Sequence, residues 1–126
     1  MCDVGLLRRV ANLPPSVILD NSDNYKEFKG AMAENFICCE LKGLHEERIY
    51  YWTAEGSGRA EVDFIIQDDV HIIPIEVKAG SASRARSLSR YCELYEPEKS
   101  VLTAFDNARE NVLPLYGFWR LRDWLE

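Results

Sequence analysis

The sequence has little of what defines several large classes of protein, beginning with cysteine. It contains four cysteines, and none of them has the C-x-x-C spacing that is typical of zinc and redox sites. Cys38 and Cys39 are adjacent, which suits a disulfide framework poorly and a reducing compartment better. We therefore expect free, mostly buried thiols.

Long apolar runs and a targeting signal are also missing. No stretch approaches the roughly 20 apolar residues that a membrane span needs, and the N-terminal residues do not have the pattern of a secretory signal. A cytoplasmic protein without membrane contact is therefore expected. The 126 residues, 47% of them hydrophobic and 29% charged, predict one domain over residues 1–126. We expect a loosely structured lead-in at 1–22 and a core at 23–126.

Positive charge is scarce overall but is concentrated in one segment. The net charge of −6 argues against nucleic-acid binding over the whole surface. Residues 79–95, however, carry Arg84, Arg86 and Arg90 against only Glu93. These arginines are candidates for contacting the phosphates of a nucleic acid. A solvated helix face explains them equally well.

The first half of the chain has a pattern of one helix followed by three strands. A helix is expected from Asn24 to Gly43, and Glu34 lies in its middle. Strands are expected at residues 48–53, 60–67 and 70–77. Because Asp68 and Asp69 separate the last two, these form a hairpin.

The second half predicts another helix, two short strands and a closing helix. Ser83 is a suitable helix cap, apolar residues follow at helical spacing, and Pro97 ends the helix. Strands at 100–105 and 112–116 and a helix at 118–125 complete an α/β fold with a mixed sheet flanked by helices. The aromatic residues at 50–52 could stack on bases, but packing against the sheet is the interpretation favoured here.

Carboxylates and a lysine are predicted to converge at one end of the hairpin. Asp63 shares a strand face with Glu61 and Ile65, while Val62, Phe64 and Ile66 form the apolar face. In the next strand Glu76 and Lys78 are two residues apart and share a face. The three charged side chains at 63, 76 and 78 are therefore expected to lie close together where the chain leaves the sheet.

The chemistry of these groups suits a magnesium or manganese ion. Asp63 and Glu76 offer the hard oxygen ligands that Mg²⁺ prefers, and the backbone carbonyl of Val77 could add another. Lys78 could orient or deprotonate a water and offset charge on a phosphoryl group. An Asp/Glu–Lys ion-pair network that only pins the hairpin is the alternative, but buried charges are costly unless they have a use.

Two motifs in this region resemble a known superfamily. EVDF at residues 61–64 and PIEVK at 74–78, followed by Ala79 and Gly80, resemble the PD-(D/E)XK (restriction-endonuclease-like) signature. Further motifs narrow the resemblance to the domain of unknown function 4143, which is usually found C-terminal to a AAA-type ATPase. These lie at residues 3–7, 29–36, 51–52, 87–88 and 114–116.

The resemblance implies a restriction-endonuclease-like core and a set of site residues. Glu34 matches the acidic residue of the first core helix, Asp63 the Asp of the first motif, and Glu76 and Lys78 the E-x-K pair. A metal-dependent nuclease acting on nucleic acid, with DNA as the expected substrate, is the function implied. Ser87 stands where nuclease branches related to exonucleases often have Gln, so that accessory residue is missing.

A second function stays open beside the nuclease. A catalytically inactive nuclease-like fold could serve an ATPase as a DNA-binding, regulatory or oligomerising module, and the net negative charge favours this alternative. The chain has no phosphate-binding loop, so no ATPase domain is expected within it. An excised domain, or a truncated or stand-alone version, is expected instead, and homo-oligomers are a further candidate for its assembly.

Overall fold

The computed structural model of the protein describes residues 3–16, 26–44, 48–56, 59–82 and 84–126. Within these residues four α-helices and one short 3-10 helix accompany five strands. The helices are α1 (Val4–Val10), α2 (Lys26–Leu44), α3 (Arg86–Tyr95), the 3-10 helix Leu115–Arg120 and α4 (Leu121–Leu125). The strands are β1 (Tyr50–Thr53), β2 (Glu61–Asp68), β3 (His71–Lys78), β4 (Val101–Ala104) and β5 (Leu113–Pro114).

The five strands form one mixed sheet in the order β1-β2-β3-β4-β5. β1, β2 and β3 are antiparallel neighbours, whereas β3–β4 and β4–β5 are parallel. A parallel neighbour needs a crossover connection, and α3 supplies the one between β3 and β4. The predicted mixed sheet flanked by helices is confirmed.

The hairpin between β2 and β3 turns one residue later than expected. Asp68 pairs with His71, so the two loop residues are Asp69 and Val70 rather than Asp68 and Asp69. Asp69 has φ of 53°, in the left-handed region that tight hairpin turns require and that Asp tolerates better than most residues. This turn fixes the register of β2 against β3. The register in turn sets which residues of the two strands lie opposite each other at the end remote from the turn.

Two separate hydrophobic clusters cover the two faces of the sheet. Ile65 and Ile66 are consecutive in β2 and therefore point to opposite faces. Ile66 belongs to the main core cluster, to which α2 contributes Ala33, Ile37 and Leu41, whereas Ile65 packs with Val62 and Tyr91 of α3. Hence α2 and α3 lie on opposite sides of the sheet.

Both ends of the chain differ from the expectation. The lead-in includes helix α1, capped by the Asp3 carboxylate, which accepts the Leu6 N–H at 2.8 Å; none of the residues of α1 is buried. The residues expected to be strand at 112–116 form only the two-residue β5, because Pro114 has no N–H to continue a ladder. The 3-10 helix and α4 replace the single closing helix.

Helix α2 continues past Gly43 to Leu44, so Gly43 does not end it, and the expected caps Asn24 and Ser83 lie outside the described residues. Three of the cysteines are described, and all three are half-buried rather than buried. Among the described residues, no helix combines the length and apolar character needed to cross a membrane.

Candidate functional site

The site lies at the open end of the hairpin formed by β2 and β3, remote from its turn, where the two strands separate. The ladder between them runs from Asp68–His71 to Phe64–Ile75. Beyond the last pair of this ladder, the Val77 N–H donates to Oδ2 of Asp63 at 2.7 Å. A carboxylate thus takes the place of a backbone carbonyl as the partner of this N–H. The side chain of Asp63 is thereby held between the two strands.

A β-bulge in β2 contributes to this arrangement and corrects the expected alternation. Tyr50 pairs with Ile65 and Trp52 with Val62, so β2 advances three residues where β1 advances two. The extra residue falls at Asp63 and Phe64. As a result Val62 and Ile65 lie in the same cluster, although simple alternation would put them on opposite faces. Bulges of this kind often re-aim a side chain next to an active site.

Strand β3 follows the expected alternation and delivers Glu76 and Lys78 to one face. Ile75 and Val77 are part of the main core cluster. Glu76 and Lys78 alternate with them along the strand and therefore point to the opposite face of the sheet. Lys78 Nζ donates to Glu76 Oε1 at 2.6 Å. The Glu76 residue is only 4% exposed. Its second oxygen, Oε2, is buried and has no hydrogen-bond partner in the structure.

Burial and mutual repulsion raise the pKa values of the site carboxyls. The pKa of Glu76 is raised by burial, against the opposing hydrogen bond from Lys78. The pKa of Asp63 is also raised by burial, and the Val77 N–H and the charge of Lys78 oppose that rise. Each of these carboxyls therefore favours a proton or a cation nearby more than a free carboxyl does.

Helix α2 brings Glu34 to the same group. The pKa of Glu34 is raised first by burial and then by the negative charges of Asp63, Glu61 and Glu76, with Lys78 opposing them. All four residues predicted from the sequence, at positions 34, 63, 76 and 78, therefore lie within one electrostatic cluster. Their roles stay predictions.

Glu61 is a fourth carboxylate that the sequence prediction left out of the site. Its charge raises the pKa values of Glu34, Asp63 and Glu76 alike. Its backbone N–H donates to Ser87 Oγ of α3 at 3.2 Å. The signal that could have identified it is its position two residues before Asp63, on the face that alternation assigns to both.

The donor set fits a divalent cation with few protein ligands. Within the described ranges, no three His, Cys, Asp or Glu side chains are already assembled around one point. Magnesium commonly binds through one or two carboxylates and keeps several waters, so Asp63 and Glu76 suffice. The unpartnered Glu76 Oε2 is a hard oxygen in need of a partner. The Val77 carbonyl as a further ligand stays a prediction.

The three arginines predicted to bind nucleic acid lie around the start of α3. Arg84, Arg86 and Arg90 are exposed, and they line one shallow groove together with Glu93. The bond between Glu61 and Ser87 ties the first turn of α3 to the end of β2 that carries Asp63. The arginines are thus attached to the site through α3, and phosphate binding by them stays a prediction.

Asp106, which no sequence pattern identified, holds the loop that follows Lys78. Its carboxylate accepts the N–H groups of Ala82 at 3.1 Å and Asn107 at 2.8 Å, and it pairs with Arg109. These N–H groups, Asn107 first, lower the pKa of the Asp106 carboxyl. The loop after β4 therefore fixes the exit of the chain from the site.

Comparison with protein families identifies the family of the chain. The model of the domain of unknown function DUF4143 matches residues 29–120, which include every residue of the site. The chain belongs to the DUF4143 family. No curated protein and no solved structure matches this DUF4143 chain. The family description states no activity for the DUF4143 domain.

Proposed function

We propose that this DUF4143 domain is a metal-dependent nuclease of the restriction-endonuclease-like, PD-(D/E)XK kind, which hydrolyses phosphodiester bonds in nucleic acid. The observation that carries the proposal is the convergence of Asp63, Glu76 and Lys78 where two strands separate. The buried Glu76 Oε2 has no partner there. The motifs at residues 61–64 and 74–78, which contain the same side chains, support the superfamily assignment.

The balance of charge supports a bound Mg²⁺ or Mn²⁺. Four carboxylates, those of Glu34, Glu61, Asp63 and Glu76, lie in one cluster. The charge of Lys78 lowers the pKa values of three of them, Glu34, Asp63 and Glu76. Asp63 and Glu76, together with the Val77 carbonyl, would hold the ion. When bound, it would supply a Lewis acid for a phosphoryl oxygen and lower the pKa of a coordinated water.

Lys78 would act directly on the phosphate. Its ammonium has three N–H donors, and one of them is engaged by Glu76 Oε1 at 2.6 Å. The others are available to orient the attacking water and to offset the charge that develops on the phosphoryl oxygens. The Glu76 bond fixes the direction of the ammonium, so the residue is positioned before a substrate arrives.

Glu34 and the arginines would complete the site from the two flanking helices. The raised pKa of Glu34 suits a group that accepts a proton from a water and passes it to solvent. Three arginines near the start of α3 would bind phosphates away from the scissile bond and set the register of the nucleic-acid strand in the site. They are Arg84, Arg86 and Arg90. The expected partner is therefore nucleic acid, bound along one side of an otherwise acidic protein.

The test is cleavage of labelled DNA and RNA, single-stranded and duplex, with Mg²⁺ or Mn²⁺ and with EDTA. The variants are Lys78→Ala and Glu76→Ala, and the matched control is Lys42→Ala, which changes an exposed lysine of α2. We expect ion-dependent cleavage by the wild type and the control, and a loss of about 100-fold or more in Lys78→Ala.

Cleavage that is equal in Lys78→Ala and the wild type would show a contaminating nuclease and contradict the proposal. So would the absence of cleavage of every substrate with either ion. In that case the remaining function for the fold is a catalytically inactive module that binds nucleic acid or regulates a partner.

A further inference from the structure

The two edges of the sheet are protected very differently. β5 forms one edge and has only two residues, Leu113 and Pro114, which are both buried. The proline also has no N–H to offer to a further strand. β1 forms the other edge, and three of its four residues are exposed. Neither proline nor a charged residue occurs from Tyr50 to Thr53, although such residues commonly keep an edge strand from pairing.

The backbone of β1 offers hydrogen-bonding groups on its outer side. The Ala54 N–H donates to the Ala60 carbonyl at 2.8 Å, on the side of β2. Alternate residues of an antiparallel strand direct their N–H and C=O groups to opposite sides. Those of Trp52 therefore face β2, whereas those of Tyr51 and Thr53 face away from it. No strand among the described residues pairs with this outer side, whose geometry is matched by another extended segment.

Exposed apolar side chains accompany the outer edge. Tyr50 is 53% exposed and Tyr51 is 71% exposed. At the end of α3, Leu94 and Tyr95 are each 57% exposed. Tyr95 contacts the half-buried Trp52 of β1, with ring centroids 6.0 Å apart. The apolar surface therefore continues from the edge strand onto the helix beside it, as is typical of a protein–protein interface.

The area of this surface is close to what a dimer needs. A tyrosine side chain can bury about 200 Å², so the exposed fractions of Tyr50, Tyr51 and Tyr95 amount to roughly 350 Å². Leu94 and Trp52 raise this to roughly 500 Å². Two copies would bury about 1,000 Å² together, which is near the lower limit of a specific interface. The affinity expected for such an interface lies in about the micromolar range.

We propose that β1 pairs antiparallel with β1 of a second copy of this chain, so that the two sheets form one continuous sheet across a dimer. Two identical strands that pair antiparallel are related by a twofold axis, so each contact is made twice and both outer edges are used. A second copy supplies the same free edge and the same apolar surface, and it therefore matches both features. The pairing does not depend on the proposed nuclease function.

The first test measures assembly by sedimentation velocity from about 1 μM to about 500 μM. In the wild type, a species of twice the mass of the chain should become dominant as the concentration rises. Tyr51→Lys places like charges close together across the axis and should raise the dissociation constant about 10-fold or more. The matched control is Tyr116→Lys, since Tyr116 of the 3-10 helix is similarly exposed at 61%, and it should dimerise like the wild type.

Hydrogen exchange then locates the interface. The amides of Tyr51 and Thr53 should gain protection as the concentration rises, because their N–H groups would bond to the second copy. The Trp52 amide faces β2 and should show the same protection at all concentrations. Thr53→Pro removes one outward N–H and keeps the pairing with β2, so it should also weaken the dimer.

The outcomes separate this inference from the proposed function. A wild type that stays monomeric over the whole range would overturn the proposal and point to a strand of a different protein as the partner of β1. A dimer that Tyr51→Lys and Tyr116→Lys form equally well would overturn it too. Concentration-dependent protection of the Thr53 amide that is lost in Tyr51→Lys would support it, even if the protein cleaves no nucleic acid.

Discussion

Replacing the Glu76 carboxylate by an amide, Glu76→Gln, should remove metal-linked stability without weakening the metal-free protein. An ion that binds only the folded state stabilises it by about 2.7 kcal/mol when its concentration is 100 times its dissociation constant. A chain of 126 residues has an unfolding entropy of about 0.26 kcal/mol per kelvin near its melting temperature. The melting temperature of the wild type should therefore rise by about 10 °C.

The amide distinguishes a metal ligand from a structural ion pair. Gln at this position keeps the shape of Glu76 and still accepts from Lys78 Nζ, while the buried charge disappears. Because burial raises the pKa of Glu76, its charged form is disfavoured by the fold. In EDTA the variant should therefore melt at the same temperature as the wild type or higher.

The assay is calorimetry near pH 7.5 in EDTA and in increasing Mn²⁺, on the wild type, Glu76→Gln and Glu27→Gln. Glu27 is an exposed glutamate in the first turn of α2 and serves as the matched control. The Mn²⁺-induced rise should be retained in Glu27→Gln and fall below about 2 °C in Glu76→Gln. An equal rise in Glu76→Gln, or a melting temperature several degrees lower in EDTA, would refute the reasoning and favour the ion-pair network.

Three further predictions concern pH, the core and the loop beside the site. The stability that Glu76 contributes to the metal-free protein is fully present below its ordinary pKa of 4.5 and is lost as pH rises through the raised value. The urea midpoint of the wild type should therefore fall relative to Glu76→Gln above that pH, and a difference that does not change with pH would contradict this. Phe118→Ala empties a fully buried position and should lower the free energy of unfolding in urea by about 3–5 kcal/mol. Trp119→Ala on the same helix should change it by under about 0.5 kcal/mol. Equal losses in the two variants would contradict the assignment of Phe118 to the core. Asp106→Ala should speed hydrogen exchange at the Ala82 amide, which the carboxylate now holds at 3.1 Å, and unchanged protection there would show that the loop is held by other contacts.

The strands that are regular along their whole length could be predicted from the sequence. In β3 the apolar residues alternate with Glu76 and Lys78, and the structure keeps that alternation because both neighbours pair with β3 in regular register. Local pattern and tertiary pairing agree there. The convergence of Lys78 with Glu76 follows from this regularity alone.

The bulge at Asp63 could not be predicted in the same way. It is defined by the pairing of β2 with β1, and an extra residue in one strand is visible only when the partner strand is known. The sequence pattern therefore put Val62 and Ile65 on opposite faces, although they share one cluster. Glu61 shares its predicted strand face with Asp63, but its effect on Glu34 depends on where α2 lies, which the sequence pattern does not show.

The chain ends could not be predicted because weak local signals compete there. α1 has a good cap in Asp3 but no buried residue, so its pattern does not resemble an ordinary amphipathic helix. Near the C-terminus an apolar run at 112–116 favours a strand, but Pro114 stops the ladder and the fully buried Phe118 belongs to a 3-10 helix.

The central claim, that this site holds a catalytic cation, is tested most directly by a crystal of the protein soaked in manganese. The anomalous difference map should show one ion between the carboxylates of Asp63 and Glu76, at about 2.0–2.2 Å from an oxygen of each. A map without that peak, in which Lys78 still donates to Glu76 and the carboxylates keep their positions, would contradict the claim.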